Sequence, residues 1–416
     1  MTFASKKLHE LAEVFSGYAF KSKDLGEEGL PVVKIKNVND KIVSKQCDQF
    51  LPNNLVTERL KKYLLQKEDI LVAMTGQGSL GRIGKMINQK GQYIVNQRVG
   101  IVRSKVEDDS VAEYLFSVLA LDEFEQQLYS LGAGAGQPNV SAVDIGNLDI
   151  PYPDKSSRKF ISKARANYDN LIENNNRRIA ILEDMAQSLY REWFVNFRYP
   201  NHEDNLEADG KPKLIDSPLG QIPEGWEVKS AAEAITINPK TKLVKDGEKP
   251  FVGMSGLSEG SMVIGDIIEK TGNSGAKFIN RDTLFARITP CLQNGKTGYV
   301  QFLTPEQPVG FGSTEFIVLR ESEYLSSEFI YLLSRSNNFR EHAIQSMTGA
   351  TGRQRVHNDC FASCYLPVPP KELMKEFTEL VKPMFKSIFN LSKRNENLKQ
   401  QRDMLLPKLI SGQIEL

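Results

Sequence analysis

The sequence predicts an α/β (α+β) fold in which two similar domains occur in tandem, each followed by a long helix. Three observations predict it. The same landmarks occur twice in the same order, short β-like runs alternate with turn residues, and two long segments carry a heptad pattern. We predict a first domain over 1–153, a helix over 154–200, a linker and second domain over 201–369, and a second helix over 370–416.

The two halves of the chain match along most of their length. In the first half the matched landmarks are residues 69–73, 81–85, 113–115, 132–137 and 150–153, and their counterparts are 282–286, 295–299, 328–330, 348–354 and 366–369. The separation of matched residues drifts only from about 213 to 220 positions. Such a steady offset indicates one tandem duplication, and it predicts a pseudo-two-fold internal repeat.

Short apolar runs bounded by Gly, Asn and Asp predict the strands of each domain. They lie at 31–36, 69–74 and 99–103 in the first copy and at 251–254, 283–288 and 315–320 in the second. Helical segments are predicted around 111–131 and 326–347. The polar stretch 200–226, with several Pro and Gly residues, is predicted to be the linker into the second copy.

Both long helices carry residues at 3,4 spacing, which is the seam of a coiled coil. The seam of the second helix is Met374, Phe377, Val381, Met384, Ile388, Leu391, Asn395, Leu398, Arg402, Leu405 and Leu409. That of the first is Ile161, Ala164, Tyr168, Leu171, Asn175, Ile179, Leu182, Met185, Leu189 and Trp193.

One asparagine lies near the middle of each seam, and a polar residue there typically fixes register. We therefore assign Asn175 and Asn395 to the register of an antiparallel pair. Residues 157–194 would form a rod of roughly 57 Å. The alternative is two amphipathic helices that pack separately on the cores of their own domains.

The amino-acid composition excludes several classes of protein but does not identify one. With 416 residues, 40% of them hydrophobic, the chain can bury more than one core. Because it has no apolar run of 18 residues and no leader-like start, we expect a soluble cytoplasmic protein. The four cysteines lack metal-ligand spacing, so we expect packed thiols and no metal. The net charge of +1 does not by itself indicate nucleic-acid binding.

Familiar catalytic motifs are missing from the sequence. There is no phosphate-binding Gly-Lys-Ser/Thr loop, no dinucleotide glycine fingerprint, no His-Glu-x-x-His and no Gly-x-Ser-x-Gly. Asp154 with Lys155 is similar to part of a nuclease set, but its position at the start of the first helix favours an N-cap. We therefore predict a binding protein with no catalytic residues rather than an enzyme.

The loops between matched landmarks are rich in groups that read DNA. Arg and Lys can pair with guanine, Gln and Asn with adenine, and glycine permits close approach of the backbone. The candidates are Thr75, Gln77, Ser79, Arg82, Gln137 and Asn139 in the first copy, and Arg287, Thr289, Gln293, Asn294, Lys296, Thr351, Arg353, Gln354 and Arg355 in the second. Lys34, Lys36, Asn37 and Asn39 form another polar cluster, for which phosphate contacts would be a natural use. The alternative is that Gly, Asn and Thr serve only the turns.

The chain resembles the specificity (S) subunits of Type I restriction–modification systems. The resemblance rests on residues 7–14 with Gly17 and Phe20, on 185–197, on 218–226, on 289–291 with 294–296, and on 406–412. In one departure, the first copy lacks the Pro-x-Gly-Trp opening that Pro223 and Trp226 give the second.

The resemblance implies two target recognition domains, each reading one half of an asymmetric, interrupted site in double-stranded DNA. It also implies that the helices set the spacing and dock two methyltransferase subunits. S-adenosylmethionine, ATP and Mg would be bound by the methyltransferase and restriction subunits and not by this chain. A coiled-coil scaffold and a nuclease of unfamiliar type are the rival interpretations.

Overall fold

A computed structural model of the chain describes residues 3–106, 108–133, 138–205, 213–244, 246–350 and 352–415. They form two compact units. Unit 1 contains the residues up to Ile172 together with those from Asn397 onward, and unit 2 is Glu173–Glu396. Within the described part of the chain, no helix is both long and apolar enough to cross a membrane.

Unit 1 is built from short strands and helices. Its strands are β1 (Ser5–Lys7), β2 (Ala12–Ser16), β3 (Leu30–Val33), β4 (Val38–Asn39), β5 (Lys41–Val43), β6 (Phe50–Leu51), β7 (Ile70–Ala73), β8 (Ile83–Lys85), β9 (Ile94–Val95), β10 (Val99–Ser104) and β11 (Asp149–Pro151). Its helices are α1 (Leu8–Leu11), α2 (Asp109–Leu119), α3 (Asp122–Gly132), α4 (Ala142–Gly146), the first part of α5 (Lys155–Phe194) and the end of α9 (Lys371–Ile410).

The main sheet of unit 1 has the order β2-β10-β7-β8-β5-β4, and a smaller sheet has the order β6-β3-β9. Strands β1 and β11 pair separately. Most pairings are antiparallel, but β3 pairs with β9 and β5 with β8 in parallel. All four residues of β7 are buried because the strand lies inside the main sheet. Its two faces supply two cores, with Val72 in one and Leu71 in the other.

Unit 2 repeats this inventory. Its strands are β12 (Leu214–Ser217), β13 (Gly220–Pro223), β14 (Glu227–Ser230), β15 (Thr236–Ile237), β16 (Lys249–Val252), β17 (Ile267–Lys270), β18 (Ala276–Phe278), β19 (Thr283–Ala286), β20 (Thr297–Tyr299), β21 (Gly310–Gly312), β22 (Phe316–Arg320) and β23 (Tyr365–Val368). Its helices are α6 (Ala231–Ala234), α7 (Ser327–Arg335), α8 (Asn337–Gln345), the second part of α5, and most of α9 (Lys371–Ile410).

Strand order confirms the internal repeat. In unit 2 the order β15-β22-β19-β20 matches β2-β10-β7-β8 of unit 1, and the pair β14–β23 matches β1–β11. The parallel pair β16–β21 likewise matches β3–β9. Part of the predicted linker is structured, because β12 and β13 form a hairpin whose Ile222 is buried in the core of unit 2.

Within each unit, α5 and α9 pack against each other in antiparallel fashion. In unit 1, Ile161 near the start of α5 shares a core with Leu409 near the end of α9. In unit 2, the Phe194 ring at the end of α5 lies 4.7 Å from the ring of Phe377 near the start of α9, centroid to centroid. The predicted antiparallel pairing of the helices is thus confirmed.

The predicted seam of α5 is wrong at two positions. Leu171 and Met185 are 53% and 47% exposed, whereas their neighbours Ile172 and Ala186 are buried. A straight α-helix has 3.6 residues per turn, so a strict heptad pattern drifts around its surface by about 20° per repeat. That drift is small beside the about 100° between neighbouring residues, and Asn175 and Ile179 of the predicted seam stay buried. Only these two positions are therefore misplaced, and at each of them the apolar residue one place later packs instead.

Two further predictions need correction. The predicted strands 31–36 and 251–254 end early, because a short 3₁₀ helix follows each one, at Ile35–Asn37 and Met254–Gly256. Each single predicted helix after the third strand is two helices. The break in unit 2 falls at Ser336, whose side chain caps α8 by accepting a hydrogen bond from the Phe339 backbone N–H.

Candidate nucleic-acid interface

Two loops of unit 1 are joined by backbone hydrogen bonds. We call residues 74–82 and 132–140, as far as they are described, the first loop pair. Thr75 and Asn139 form a β-bridge. The Val140 N–H donates to the Met74 carbonyl oxygen at 2.9 Å, and the Gly76 N–H donates to Pro138 at 3.3 Å. The bridge holds the loop after β7 beside the loop after α3.

The matching loops of unit 2 are joined in the same way. Residues 287–296 and the described part of 348–356 form the second loop pair. Ile288 and Arg355 form the bridge, and the Val356 N–H donates to the Arg287 carbonyl oxygen at 2.8 Å. The Thr289 hydroxyl also accepts from the Gln354 N–H at 3.0 Å. The two loop pairs thus have a common backbone framework.

Several predicted readers present unengaged side chains. Gln77 and Asn139 in the first loop pair and Gln293 and Arg353 in the second are exposed. The side chains of these four, and of half-buried Arg82, have no hydrogen-bond or ion-pair partner among the described residues. Toward the described part of the chain, their donors and acceptors are therefore unengaged.

Other predicted readers support the loops. The Ser79 hydroxyl donates to the Thr75 carbonyl oxygen at 3.1 Å. Lys296 Nζ donates to the Met254 carbonyl oxygen at 3.1 Å. Asn294 Nδ2 donates to Glu259 Oε1 at 3.0 Å, although Asn294 remains exposed. These contacts show what fixes the loop shape in the free chain.

The predicted cluster at Lys34, Lys36 and Asn37 lies elsewhere in unit 1. Asn37 is buried, and its side chain closes a turn by accepting from the Lys34 N–H and donating to the Gln46 carbonyl oxygen. Lys34 hydrogen-bonds Gln49, and burial together with the Lys36 charge lowers the pKa of Lys34. Lys36 is exposed and pairs with Asp48. No hydrogen bond joins this cluster to the described part of the first loop pair.

Two charged residues beside the loop pairs were missed by the sequence reasoning. Arg98 precedes β10, and its carbonyl oxygen accepts from the Met74 N–H at 3.0 Å. Glu315 precedes β22, and its carbonyl oxygen accepts from the Arg287 N–H at 3.0 Å. The signal in the sequence was a charged residue at the third predicted strand of each copy: Arg98 directly precedes 99–103, and Glu315 begins 315–320. Gln137 and Thr351, two further predicted readers, lie outside the described residues.

The carboxylate of Glu315 is bound by Arg355. Arg355 Nη2 lies 2.8 Å from Glu315 Oε1, and Arg355 Nε lies 3.0 Å from both carboxylate oxygens. The Arg355 guanidinium holds the pKa of Glu315 below its usual value, and Glu315 raises the pKa of Arg355. Both groups are therefore charged at neutral pH.

The carboxylate–lysine pair at the start of α5 has a structural role. Asp154 Oδ1 accepts from the Ser156 N–H at 2.8 Å and from the Ser157 N–H at 3.2 Å, which makes Asp154 the N-cap. Lys155 instead pairs with Asp108 at 2.8 Å. All four cysteines are free, and the described residues contain no cluster of metal-ligand side chains.

These features define a class of protein: a tandem of two similar binding domains on paired long helices. Comparison with known proteins gives the family. The chain belongs to the Type I restriction modification DNA specificity domain family, whose model matches residues 2–184 and 223–400. Members of this family are the non-catalytic specificity subunits, and catalysis resides in partner methyltransferase and restriction subunits.

Individual relatives cover most of the chain. The MjaIX specificity subunit of Methanocaldococcus jannaschii is 26% identical over 346 residues, which is 80% of this chain and 76% of the relative. The HindI specificity subunit of Haemophilus influenzae is 20% identical over 413 residues, covering 85% and 88%. A crystal structure of a Type I S subunit from M. genitalium shares the fold, with a TM-score of 0.54, 14% identity, and coverage of 99% and 96%.

Proposed function

We propose that each unit reads one half of an interrupted, asymmetric site in double-stranded DNA through its loop pair. The observation that carries this proposal is the common backbone framework of the two loop pairs, on which the side chains differ. Arg287 and Arg355 of unit 2, for example, occupy the positions of Met74 and Asn139 in unit 1. Because base edges are read by side chains, two such domains would select two different half-sites.

The lysine cluster at Lys34 and Lys36 fits a different use. An exposed ammonium group contacts phosphate without reading sequence, and such contacts position a protein on the duplex. We propose that this cluster holds the DNA backbone beside unit 1. Asn37 would hold the backbone of this cluster in place, because its side chain bonds the Lys34 N–H and the Gln46 carbonyl oxygen.

We further propose that α5 and α9 set the distance between the half-sites and dock two methyltransferase subunits. Apolar side chains on the outer faces of both helices support docking: Phe160, Leu171, Ile181 and Met185 on α5, and Leu380 and Met404 on α9 are all at least 47% exposed. The helices would correspond to the segments 154–200 and 370–416, and the recognition domains to 1–153 and 201–369.

Catalysis would then be delegated within a cytoplasmic complex. This chain would choose the sequence, while partner subunits would carry S-adenosylmethionine, ATP and Mg. The target base must leave the helical stack to reach a methyltransferase site, so the DNA would have to be held on both sides of it.

Methylome sequencing tests the proposal directly. The full chain is expressed with its cognate methyltransferase subunit in a host that lacks both, and a second host receives the methyltransferase alone. We expect methylated adenine at one two-part motif only when both chains are present. If the complex assembles and no new motif is methylated, sequence selection by this chain is contradicted.

A further inference from the structure

Backbone hydrogen bonds define three equivalent positions beside the two loop pairs. In unit 1 the Met74 N–H donates to the Arg98 carbonyl oxygen, and the Met74 carbonyl oxygen accepts from Val140, the residue after Asn139. In unit 2, Arg287 makes the same two bonds, to the residues that correspond to Arg98 and Val140. The three positions therefore hold Met74, Arg98 and Asn139 in unit 1, and Arg287, Glu315 and Arg355 in unit 2.

The side chains at these positions form an ion pair only in unit 2. Arg355 and Glu315 are bonded there through three short N–O contacts. In unit 1, Asn139 replaces the arginine and Arg98 replaces the carboxylate. Arg98 is exposed, and no described residue pairs with its guanidinium.

The geometry of the ion pair leaves one edge of Arg355 unused. Glu315 accepts from Nε and Nη2, which lie along the side edge of the planar guanidinium. The Nη1 nitrogen makes no hydrogen bond to any described residue. The end edge therefore keeps two parallel N–H donors, one on each Nη atom. Arg355 is 47% exposed at its side chain and Glu315 only 22%, so the free edge belongs to the more exposed partner.

Two parallel donors match one base edge particularly well. Guanine presents two acceptors, O6 and N7, in the major groove, whereas adenine presents one acceptor and one donor. A fixed guanidinium also loses less side-chain freedom on binding than a free one. The carboxylate thus both orients the arginine and limits the bases it can accept.

We propose that Arg355, oriented by Glu315, reads a guanine in the half-site recognised by unit 2. Arg355 is the specificity-determining residue and Glu315 is a positioning residue. Unit 1 has Arg98 and Asn139 at the equivalent positions and no ion pair between them, so different side chains read its half-site there. This inference rests on the proposed function, since it requires the second loop pair to contact DNA bases.

The test compares methylome motifs of the complex carrying the natural chain with those of complexes carrying single variants. The natural chain must first give a two-part motif, which tests the proposed function by itself. Arg355→Ala is then expected to relax one guanine position in one half-site, with discrimination there falling on the order of 10- to 100-fold. The other half-site should stay unchanged. Arg355→Lys should also relax that position, because an ammonium group lacks the planar fork.

Glu315→Gln tests the positioning role. Without the Glu315 carboxylate, Arg355 is expected to accept other bases at the same position of the half-site. Assembly with the methyltransferase and the thermal unfolding temperature should stay close to those of the natural chain. Glu321→Gln is the matched control, because Glu321 also pairs with an arginine of unit 2, Arg281, at 2.8 Å, outside the loop pairs. It should leave the motif intact.

Two results would overturn the inference while the proposed function stands. One is a two-part motif that Arg355→Ala leaves unchanged. The other is a uniform loss of methylation at every site with unchanged base preference, which would assign Arg355 to a phosphate contact.

Discussion

Asn175 and Asn395 are buried in the contact between α5 and α9 in unit 2, where they are 6% and 7% exposed. Asn175 Nδ2 donates to Asn395 Oδ1 at 2.8 Å, and Asn395 Nδ2 donates to Asn176 Oδ1 at 2.7 Å. Each buried amide thus has a partner on the opposite helix. Because such a partner exists only when the helices are correctly aligned, we predict that this contact fixes their register.

Replacing one asparagine should cost more than replacing both. Asn175→Leu leaves the Asn395 carbonyl oxygen buried without a donor, which costs about 1–3 kcal/mol. The double variant with Asn395→Leu should recover most of this loss, since two apolar groups then face each other. Fluorescence can follow the effect in unit 2 alone, because the two tryptophans of the chain, Trp193 and Trp226, both lie there.

The measurement is the urea midpoint of the fluorescence transition for the two single variants and the double variant. Asn174→Leu is the matched control, because Asn174 is exposed on the same turn of α5 and should shift the midpoint little. A double variant as unstable as the sum of the single variants would contradict pairing between the asparagines.

For Asp69 and Asp282, the sequence predicted the equivalence of the two positions but not the ion pair that each residue forms. Both were matched as landmarks of the repeat from position alone. The structure explains them: Asp69 pairs with Arg103, and Asp282 with Arg320, each by two bonds of 2.6–2.8 Å. The partners lie 34 and 38 residues away, so only the pairing of the strands brings them together.

Helices α5 and α9 were predictable in existence, extent and antiparallel direction because their apolar pattern is long and periodic. The predicted start at about residue 157 falls close to the observed Lys155, and the predicted end at Phe194 agrees. The exact buried residues were less predictable, since apolar residues stand side by side in α5, and of Leu171 and Ile172 it is Ile172 that is buried. Six strands were predicted from their apolar runs. Strands of two residues were missed, such as β15, and so were longer ones with polar or exposed residues, such as β2 and β17.

The location of the candidate site in two pairs of loops could be predicted from the sequence. Which side chains of those loops are free to contact a ligand could be predicted less well. Glycines and polar residues between matched landmarks located both loop pairs. Which residues face outward depended on contacts remote in sequence, such as that between Lys296 and Met254. Glu315 was assigned to a strand, and its role depends on Arg355, 40 residues further on.

Lengthening both long helices by one heptad should lengthen the gap in the target. Insertion after Ile172 in α5 and after Glu396 in α9 adds about 10 Å to each helix, close to the rise of three base pairs. A whole heptad keeps the buried face nearly aligned, because it turns the helix by only about 20° from its starting position. We therefore expect the same two half-site sequences with a wider gap in the methylome of the variant complex.

The control inserts the same seven residues between Asn273 and Ser274, in the exposed loop after β17. That variant should keep the natural gap. An unchanged gap in the helix variant, with methylation retained, would show that the helices do not set the spacing.

For the molecule as a whole, the proposed function divides recognition between one surface in each unit. Gln77, in the loop after β7, and Gln293, in the loop after β19, are suited to testing this. Both are exposed, and neither side chain has a hydrogen-bond partner among the described residues. Gln77→Ala should alter the preference in one half-site and Gln293→Ala in the other, each by roughly tenfold. The double variant should combine the two changes.

The readout is again the methylated motif, analysed separately for each half. Equal effects of either single variant on both halves would contradict the division of recognition between the units. The sequence predicted this division from the repeat itself, whereas the bases recognised depend on side-chain geometry that the repeat does not encode.

The division of α9 between the two units has a consequence for synthesis. Unit 1 takes Leu406, Leu409 and Ile410 into its core, so its packing requires residues from beyond Asn397. Unit 2 is continuous from Glu173 to Glu396. Ribosomes release a chain from its N-terminus, and domains fold as they emerge. The unit whose translation begins first is therefore the last to be completed, and a nascent chain halted at Glu396 carries one whole recognition unit and one with an open core.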